Sequence, residues 1–254
     1  MKRTTLLAAL LCLTSQVANA IPLPAAIAGD LSYNFFPPGP VSVQTFGLHE
    51  LGGIAGGELL LDSGLTPSPF LRAAAEAVPS NMFGRAAAIL RYDLEILGPG
   101  GNVGVNVNAR GQVSGSTAGE IASGMAMRAL WFIDDLATGQ QLFAGGIETP
   151  QLTGPFFDSF DESVGLDLTT GHSYRVSLLA DVGIRGGSAF AFIDPVFSFG
   201  TGVGPEYSFL FSEGVGNIRE VEAPPASVPE PGSFALLLAA LAPMGLLRRR
   251  SRQA

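Results

Sequence analysis

The chain has 254 residues, 47% of them hydrophobic and only 14% charged, with 33 glycines and 18 prolines, a composition that supplies a sizeable core and many turns rather than long helices. Six of the 14 basic residues lie at the two ends, so the stretch between them holds eight arginines and all 22 acidic residues. Such an acidic body repels phosphate backbones, which excludes nucleic acid as a partner.

Residues 1–20 have the organisation of a secretory signal peptide. Lys2 and Arg3 give a positive start, and the apolar stretch 6–13 that follows is too short for a stable membrane span. These features predict that the chain is exported. An uncleaved N-terminal membrane anchor is the alternative interpretation.

The cleavage site is predicted between Ala20 and Ile21. Ala18 and Ala20 supply the small-x-small pattern that signal peptidase accepts, so Ile21 would be the first residue of the mature chain. Cleavage would also remove Cys12, the single cysteine. The exported domain, residues 21–222, would then hold no disulfide and would depend on packing for its stability.

The segment 85–97 favours a helix by residue propensity but alternates like a strand. Its four charged residues, Arg85, Arg91, Asp93 and Glu95, share one parity. At about 100° per residue they would scatter around a helix, whereas at two residues per repeat they occupy one face. The pattern therefore predicts a strand.

Other segments of the body are also predicted as strands, and the sole tryptophan, Trp131, is placed in the core. The strands are 103–109, 125–133, 166–168, 174–178, 189–199 and 206–211. Residues 169–172 are predicted as a hairpin loop between two of them. Asp194-Pro195 should place its strand at a sheet edge or end it there, because proline cannot donate to a ladder. The segment 70–78 is ambiguous, with one or two helical turns as one interpretation.

Alternating strands with glycine-rich turns, and no strand–helix–strand rhythm, indicate an all-β fold. The expected architecture is an antiparallel β-sandwich of jelly-roll or immunoglobulin-like type. Sandwiches that hold polysaccharide often stack exposed aromatic side chains on sugar rings. Here 17 phenylalanines accompany only four tyrosines and one tryptophan, and phenylalanine is more often a core residue, so 190–199 and 207–211 are interpreted as core.

Three acids, Asp158, Asp161 and Glu162, lie within five residues and are the candidate metal ligands. A loop with these carboxylates could hold calcium, which exported proteins meet in abundance, although the spacing matches no EF-hand. A solvated acidic loop without a cofactor is the alternative, and it is the one that the sequence favours. Asp134-Asp135 is interpreted in the same way, as a solvated turn after the tryptophan strand.

Other catalytic chemistry finds little support in the sequence, so the protein is expected not to be an enzyme. His49 and His172 are the only histidines, too few for an ordinary zinc site, and His172 is interpreted as part of the hairpin loop. The segment 115–119 places threonine where a serine hydrolase needs its nucleophile, and is interpreted as a flexible loop. Two carboxylates that meet in space could support glycoside hydrolysis, but no pattern favours it.

The C-terminal region has three successive parts after a Pro/Ala linker at 223–227. Val228, Pro229, Glu230, Pro231 and Gly232 form an extended segment, because proline disfavours helix in itself and in the residue before it. An uncharged stretch, 233–247, follows as a short transmembrane helix. The tail then carries Arg248, Arg249, Arg250 and Arg252, which should stay on the cytoplasmic side by the positive-inside bias.

This ordered set, spanning 228–254, resembles the PEP-CTERM sorting signal of Gram-negative bacteria. The resemblance implies an exosortase-type processing enzyme as a partner, cleavage near Pro-Glu-Pro, and transient anchoring in the inner membrane; an ordinary single-pass anchor is the alternative. Three segments of the body, "RYDLEILGPGG", "LTTGHSYRVSLLA" and "FIDPVFSF…GVGN", are loosely similar to domains that precede such signals.

Taken together, these features predict an exported protein that is sorted to the cell surface or the extracellular matrix. A structural or adhesive role is the leading hypothesis. A polysaccharide-binding module of the exopolysaccharide matrix is the alternative, and an exposed row of aromatic side chains on one sheet face would favour it.

Overall fold

The computed structural model describes residues 22–33, 40–52, 57–77, 82–117 and 124–218. These residues form thirteen strands: β1 (Ala26–Tyr33), β2 (Val41–Val43), β3 (Gly47–Gly52), β4 (Glu58–Gly64), β5 (Phe70–Ala77), β6 (Phe83–Leu97), β7 (Asn102–Thr117), β8 (Gly124–Asp135), β9 (Gln140–Glu148), β10 (Phe156–Thr169), β11 (Ser173–Arg185), β12 (Gly187–Phe199) and β13 (Ser208–Phe211). Within the described ranges no helix is long and apolar enough to cross a membrane. The predicted signal peptide, linker and C-terminal sorting signal lie outside these ranges.

The strands form two antiparallel sheets. Sheet A has the order β2-β1-β6-β11-β8-β9, and β13 pairs with the end of β6 beyond β1. Sheet B has the order β10-β7-β12-β5-β4-β3. The all-β prediction is therefore confirmed, including the strand at 85–97, which lies within β6.

One apolar core contains buried side chains of both sheets, as in a β-sandwich. Along β6, β8 and β11 every second residue is buried in this core, which explains why the alternating sequence folds as strands. Trp131 is fully buried, as predicted, and its ring centroid lies 4.3 Å from that of Phe143.

The predicted hairpin around residues 169–172 is wrong. β10 pairs with β7 in sheet B, whereas β11 pairs with β6 and β8 in sheet A, so the loop crosses between the sheets. The N–H of Thr170 donates to the Gly101 carbonyl (3.0 Å), which ties this loop to the neighbouring β6–β7 connection. Loop length and flanking alternation indicate consecutive strands, but they do not tell whether the two strands share a sheet.

Three further local predictions need correction. Residues 70–77, the described part of the ambiguous segment, form β5 rather than helical turns, and every second side chain is buried. Residues 115–117 belong to β7 rather than to a flexible loop.

The strand with Asp194-Pro195 does not end there: β12 pairs with β5 only up to Ile193 and continues along β7 to Phe199. From Asp194 onward β12 does not pair with β5. Pro195 therefore costs no hydrogen bond to that strand, and the predicted sheet edge is confirmed for residues 194–199 of β12.

Candidate functional site: an arginine cleft on sheet A

The outer face of sheet A carries a cleft of about 400 Å³ near one end of β6, β8 and β11. Three arginines line it, one from each strand: Arg85, Arg128 and Arg185. They are three of only eight arginines between the two basic ends of an acidic chain. We call this feature the arginine cleft.

The floor of the arginine cleft is made of small residues. Gly124 on β8 is the register partner of Arg185, and Gly183 on β11 is the partner of both Arg85 and Ala126. Because register partners share a face, the three small residues leave room between the arginine side chains. A Cβ added at Gly183 would meet the Phe83 ring at 3.1 Å, so a larger residue there would fill the floor.

The arginines differ in how they are held. The Arg85 guanidinium makes a two-pronged contact with Asp181, Nε to Oδ1 at 3.0 Å and Nη2 to Oδ2 at 3.1 Å, and this hydrogen bonding raises the pKa of Arg85. Arg128 lies 2.9 Å from Glu148, and both side chains are about half exposed. Arg185 is exposed at the end of β11. The cleft therefore presents solvent-accessible cations, although two of them already contact acids.

The outer face of sheet B arranges similar residues differently. The guanidinium carbons of Arg72 and Arg110 each lie 5.9 Å from the centre of the Phe192 ring. Arg110 also contacts Asp194, whose side chain is only 3% exposed, at 3.1 Å, and the Ser68 hydroxyl donates to the same carboxylate at 2.7 Å. These groups fill one another's space, and the result is a closed packing cluster.

The predicted calcium ligands lie in β10 rather than in a loop, which corrects that part of the prediction. Strand alternation puts Asp158 and Glu162 on one face and Asp161 on the other, so the three carboxylates do not share a face. In the described part of the chain, no three His, Cys, Asp or Glu side chains group as metal ligands. Calcium binding by this segment stays a prediction.

Neither of the two histidines lines the arginine cleft. His49 lies in β3 and contacts, at 2.8 Å, the carbonyl of Thr45 in the turn before that strand. His172 contacts the carboxylate of Asp135 through Nδ1 at 3.1 Å, and that carboxylate also accepts the backbone N–H of Ala137 at 2.8 Å. Asp135 is thus a buried, hydrogen-bonded residue and not the solvated turn residue that was expected.

Sequence reasoning missed the arginine cleft. Parity correctly placed Arg85 on the solvent side of its strand, but Arg128 and Arg185 lie 43 and 100 positions further along. Nothing in the pattern tells that β8 and β11 join β6 in one sheet. The sequence does hold one signal for it: on each of the three strands, the arginine has a glycine or an alanine two residues away.

Comparisons with known proteins place the chain in no family: no protein-family model matches it, and no curated protein matches it. Among solved structures, one similar chain comes from "Structure of infectious bursal disease virus Gt strain". It is 9% identical, the match covers 87% of this chain and 72% of that chain, and the TM-score is 0.19. That score is too low to bear on fold or function.

Proposed function

We propose that this chain is an exported, non-enzymatic β-sandwich protein of the cell surface or extracellular matrix, and that it adheres to acidic polysaccharide through the arginine cleft. The proposal joins a structural or adhesive role with polysaccharide binding. It is carried by one observation: an acidic chain with few arginines gathers three of them around an open cleft with a small-residue floor.

Carboxylated sugars suit this cleft better than neutral sugars do. A guanidinium binds a carboxylate through two parallel N–H donors, and it is more weakly hydrated than an ammonium group. Neutral sugars instead need aromatic platforms, and the large exposed aromatic side chains of the described residues are Phe46 and Phe157. Phe46 precedes β3 and Phe157 lies in β10, at opposite edges of sheet B, so they form no row.

A jelly roll is the sandwich type that we favour. Strands β5 to β12 support it, because they alternate as two four-stranded sets, β5-β12-β7-β10 and β6-β11-β8-β9. Eight antiparallel strands in two such sets correspond to the paired Greek keys of a jelly roll. The remaining strands extend the two sheets on one side.

Export and sorting complete the proposal. Signal peptidase would cut after Ala20, and the chain would stay in the inner membrane through 233–247 until an exosortase-type enzyme cuts near Pro229-Glu230-Pro231. The order of proline-rich segment, apolar stretch and arginines supports this part. The adhesive domain would then be released to the surface or the matrix.

Binding of the exported protein to polygalacturonate, with neutral dextran as the reference polymer, tests the function. Replacing Arg128 and Arg185 together by glutamine should weaken polygalacturonate binding about tenfold or more, because each charge-assisted pair contributes on the order of 1 kcal/mol. Arg91→Gln is the matched control, since Arg91 is exposed on β6 outside the cleft. Equal binding of the two polymers, or equal losses in the double variant and the control, would refute the proposal.

A further inference from the structure

The outer face of sheet B carries a second cleft, of about 270 Å³, and its charged residues are acids. Glu58 on β4 and Glu76 on β5 line it, and both are exposed. As in the arginine cleft, most of the other lining residues are small, among them Ala74, Ser114 and Ser188. We call this feature the acidic cleft.

The two glutamates of the acidic cleft lie beside each other without a cation between them. Leu59 pairs with Ala75 in the β4–β5 register, which puts Glu58 opposite Glu76 on the next position of each strand. Like charges directly opposite each other on neighbouring strands are destabilising. No arginine or histidine in the described ranges lies within ion-pair distance of either carboxylate. A cation placed between them would remove this repulsion.

The arginine cleft contains the matching free charge. Arg85 and Arg128 contact Asp181 and Glu148, but Arg185 makes no ion pair with any acid of the described residues. Arg185 is exposed at the end of β11. Each outer face therefore carries charge that the fold leaves uncompensated, positive on sheet A and negative on sheet B.

The two clefts lie back to back at one end of the sandwich. β11 ends at Arg185 and β12 begins at Gly187, so both clefts adjoin the same crossing between the sheets. Met125 lines the arginine cleft and Gly115 lines the acidic cleft. A Cβ added at Gly115 would lie 2.6 Å from the Met125 sulfur. The clefts thus open from opposite faces at the same level of the sandwich.

This arrangement allows identical copies to stack in one direction. A copy shifted along the normal of the sheets, without rotation, brings its acidic cleft over the arginine cleft of the copy below. Packed sheets are about 10 Å apart, so the repeat of such a stack would be roughly 20 Å. Because the two contacting patches differ, each added copy leaves one unused cleft of each kind, and the assembly does not close.

We propose that the acidic cleft binds a second copy of this chain, with Arg185 of one copy lying between Glu58 and Glu76 of the next, and that repetition of this contact builds an open stack. A guanidinium has five N–H donors, enough for two carboxylates at once. The inference goes beyond the proposed function, because it assigns a protein partner to a cleft that polysaccharide binding does not use.

Sheet B already contains an arginine held in the same way. Arg110 lies over the Phe192 ring at 5.9 Å and contacts the Asp194 carboxylate at 3.1 Å. In the acidic cleft, Phe190 provides the ring and the glutamates provide the carboxylates, so an incoming guanidinium would meet both kinds of partner. A divalent metal suits the cleft less well, since calcium usually takes several carboxylates and no group of three potential metal ligands exists in the described ranges.

Sedimentation velocity of the exported protein over a concentration series tests the stack. The wild type should form species that grow beyond a dimer as the concentration rises. Raising the salt to 1 M, where the Debye length is about 3 Å, should return it to the monomer. Growth that stops at a dimer, or association that salt leaves unchanged, would overturn the inference.

Neutral variants of each cleft test the pairing itself. Arg185→Gln and the double variant Glu58→Gln/Glu76→Gln should each associate about tenfold or more weakly, because hydrogen bonds between charged partners are lost. Mixed one to one, they should form dimers and nothing larger, since one variant supplies the intact arginine and the other the intact acids. Arg91→Gln on sheet A and Glu50→Gln on β3, both exposed, are the matched controls and should stack like the wild type.

The outcomes separate the two proposals. Variants that stack like their controls, a mixture that stays monomeric, or association that requires calcium would each overturn this inference. Wild-type protein that binds polygalacturonate and stays monomeric would overturn this inference alone. Wild-type protein that stacks but binds polygalacturonate no better than dextran would overturn the proposed function alone.

Discussion

Arginine and aspartate side chains lie on the outer faces of both sheets, but they form different arrangements on each. On sheet B, Arg72 and Arg110 flank the Phe192 ring, and Arg110 reaches the buried carboxylate of Asp194. On sheet A, Gly183 and Ala126 lie among the arginines where sheet B has a phenylalanine. The comparison indicates that the residue between the cations, rather than the cations themselves, decides whether a strand face closes into a packing cluster or leaves an open cleft.

The largest expected effect concerns the buried acid of sheet B. Asp194→Ala would leave the Arg110 guanidinium and the Ser68 hydroxyl without their shared acceptor. Asp194 and Ser68 are buried whereas Arg110 is 36% exposed, so we expect a loss on the order of 2 kcal/mol of unfolding free energy, chiefly from the buried hydroxyl left without its acceptor. Urea denaturation followed by tryptophan fluorescence measures this cost, since Trp131 is in the core.

The corresponding change on sheet A should cost far less. Asp181→Ala removes the partner of Arg85, whose side chain is 44% exposed, and water replaces much of the lost contact. A loss of about 0.5 to 1 kcal/mol is expected. Equal losses in the two variants would contradict the distinction between a closed cluster on sheet B and an open cleft on sheet A.

The next largest effect should be on binding rather than on stability. Gly183→Val fills the floor of the arginine cleft, because a Cβ there already meets the Phe83 ring at 3.1 Å. We expect polygalacturonate binding to fall about tenfold, which corresponds to roughly 1.4 kcal/mol, while the urea midpoint changes little, since valine suits a strand.

Gly165→Val is the matched control on sheet B. A Cβ at Gly165 has only the Asn106 side chain within reach, at 3.7 Å, so the added methyl groups occupy open space. Its binding should equal that of the wild type. If the two valine variants bind polygalacturonate equally well, the cleft floor does not take part in binding.

The sequence predicts the strands of this protein better than it predicts their partners. Parity is a local property, so the face of Arg85 and the burial of Trp131 follow from a few neighbouring residues. Whether a loop such as 169–172 closes a hairpin or crosses to the other sheet depends on strands that are distant in the chain. The cleft forms because β6, β8 and β11 lie side by side. The alternation of residues along one sequence does not tell which strands become neighbours.

The sequence also did not predict which acidic residues are buried with hydrogen-bond partners. Asp135 lies beside Asp134 in the sequence, yet only Asp135 is buried and accepts hydrogen bonds from a histidine and a turn. Its partner His172 lies 37 residues further along the chain. Both acids belong to β8, where alternation puts Asp135 on the core side, but the histidine and the turn that contact it are brought there by the tertiary fold.

The smallest expected effect is the pH dependence of Asp135, an acid held by hydrogen bonds rather than by arginine. Burial alone would raise its pKa, but the hydrogen bonds from His172 and from the N–H groups of Ala137 and Thr138 outweigh burial and lower it.

An acid whose pKa is lower in the folded state stabilises the fold above its unfolded pKa, near 4, and this stabilisation is lost as the pH falls through the folded value. Asp135→Asn should therefore lower the unfolding free energy by about 0.5 kcal/mol at pH 7, since the asparagine oxygen still accepts part of these hydrogen bonds, and by progressively less below pH 4. Urea midpoints from pH 7 to pH 3 measure this convergence, with the exposed control Glu50→Gln expected to follow the wild type. A variant curve that stays parallel to the wild type across the whole range would mean that the Asp135 carboxylate has the same pKa folded and unfolded, and that its hydrogen bonds hold the turn without holding its charge.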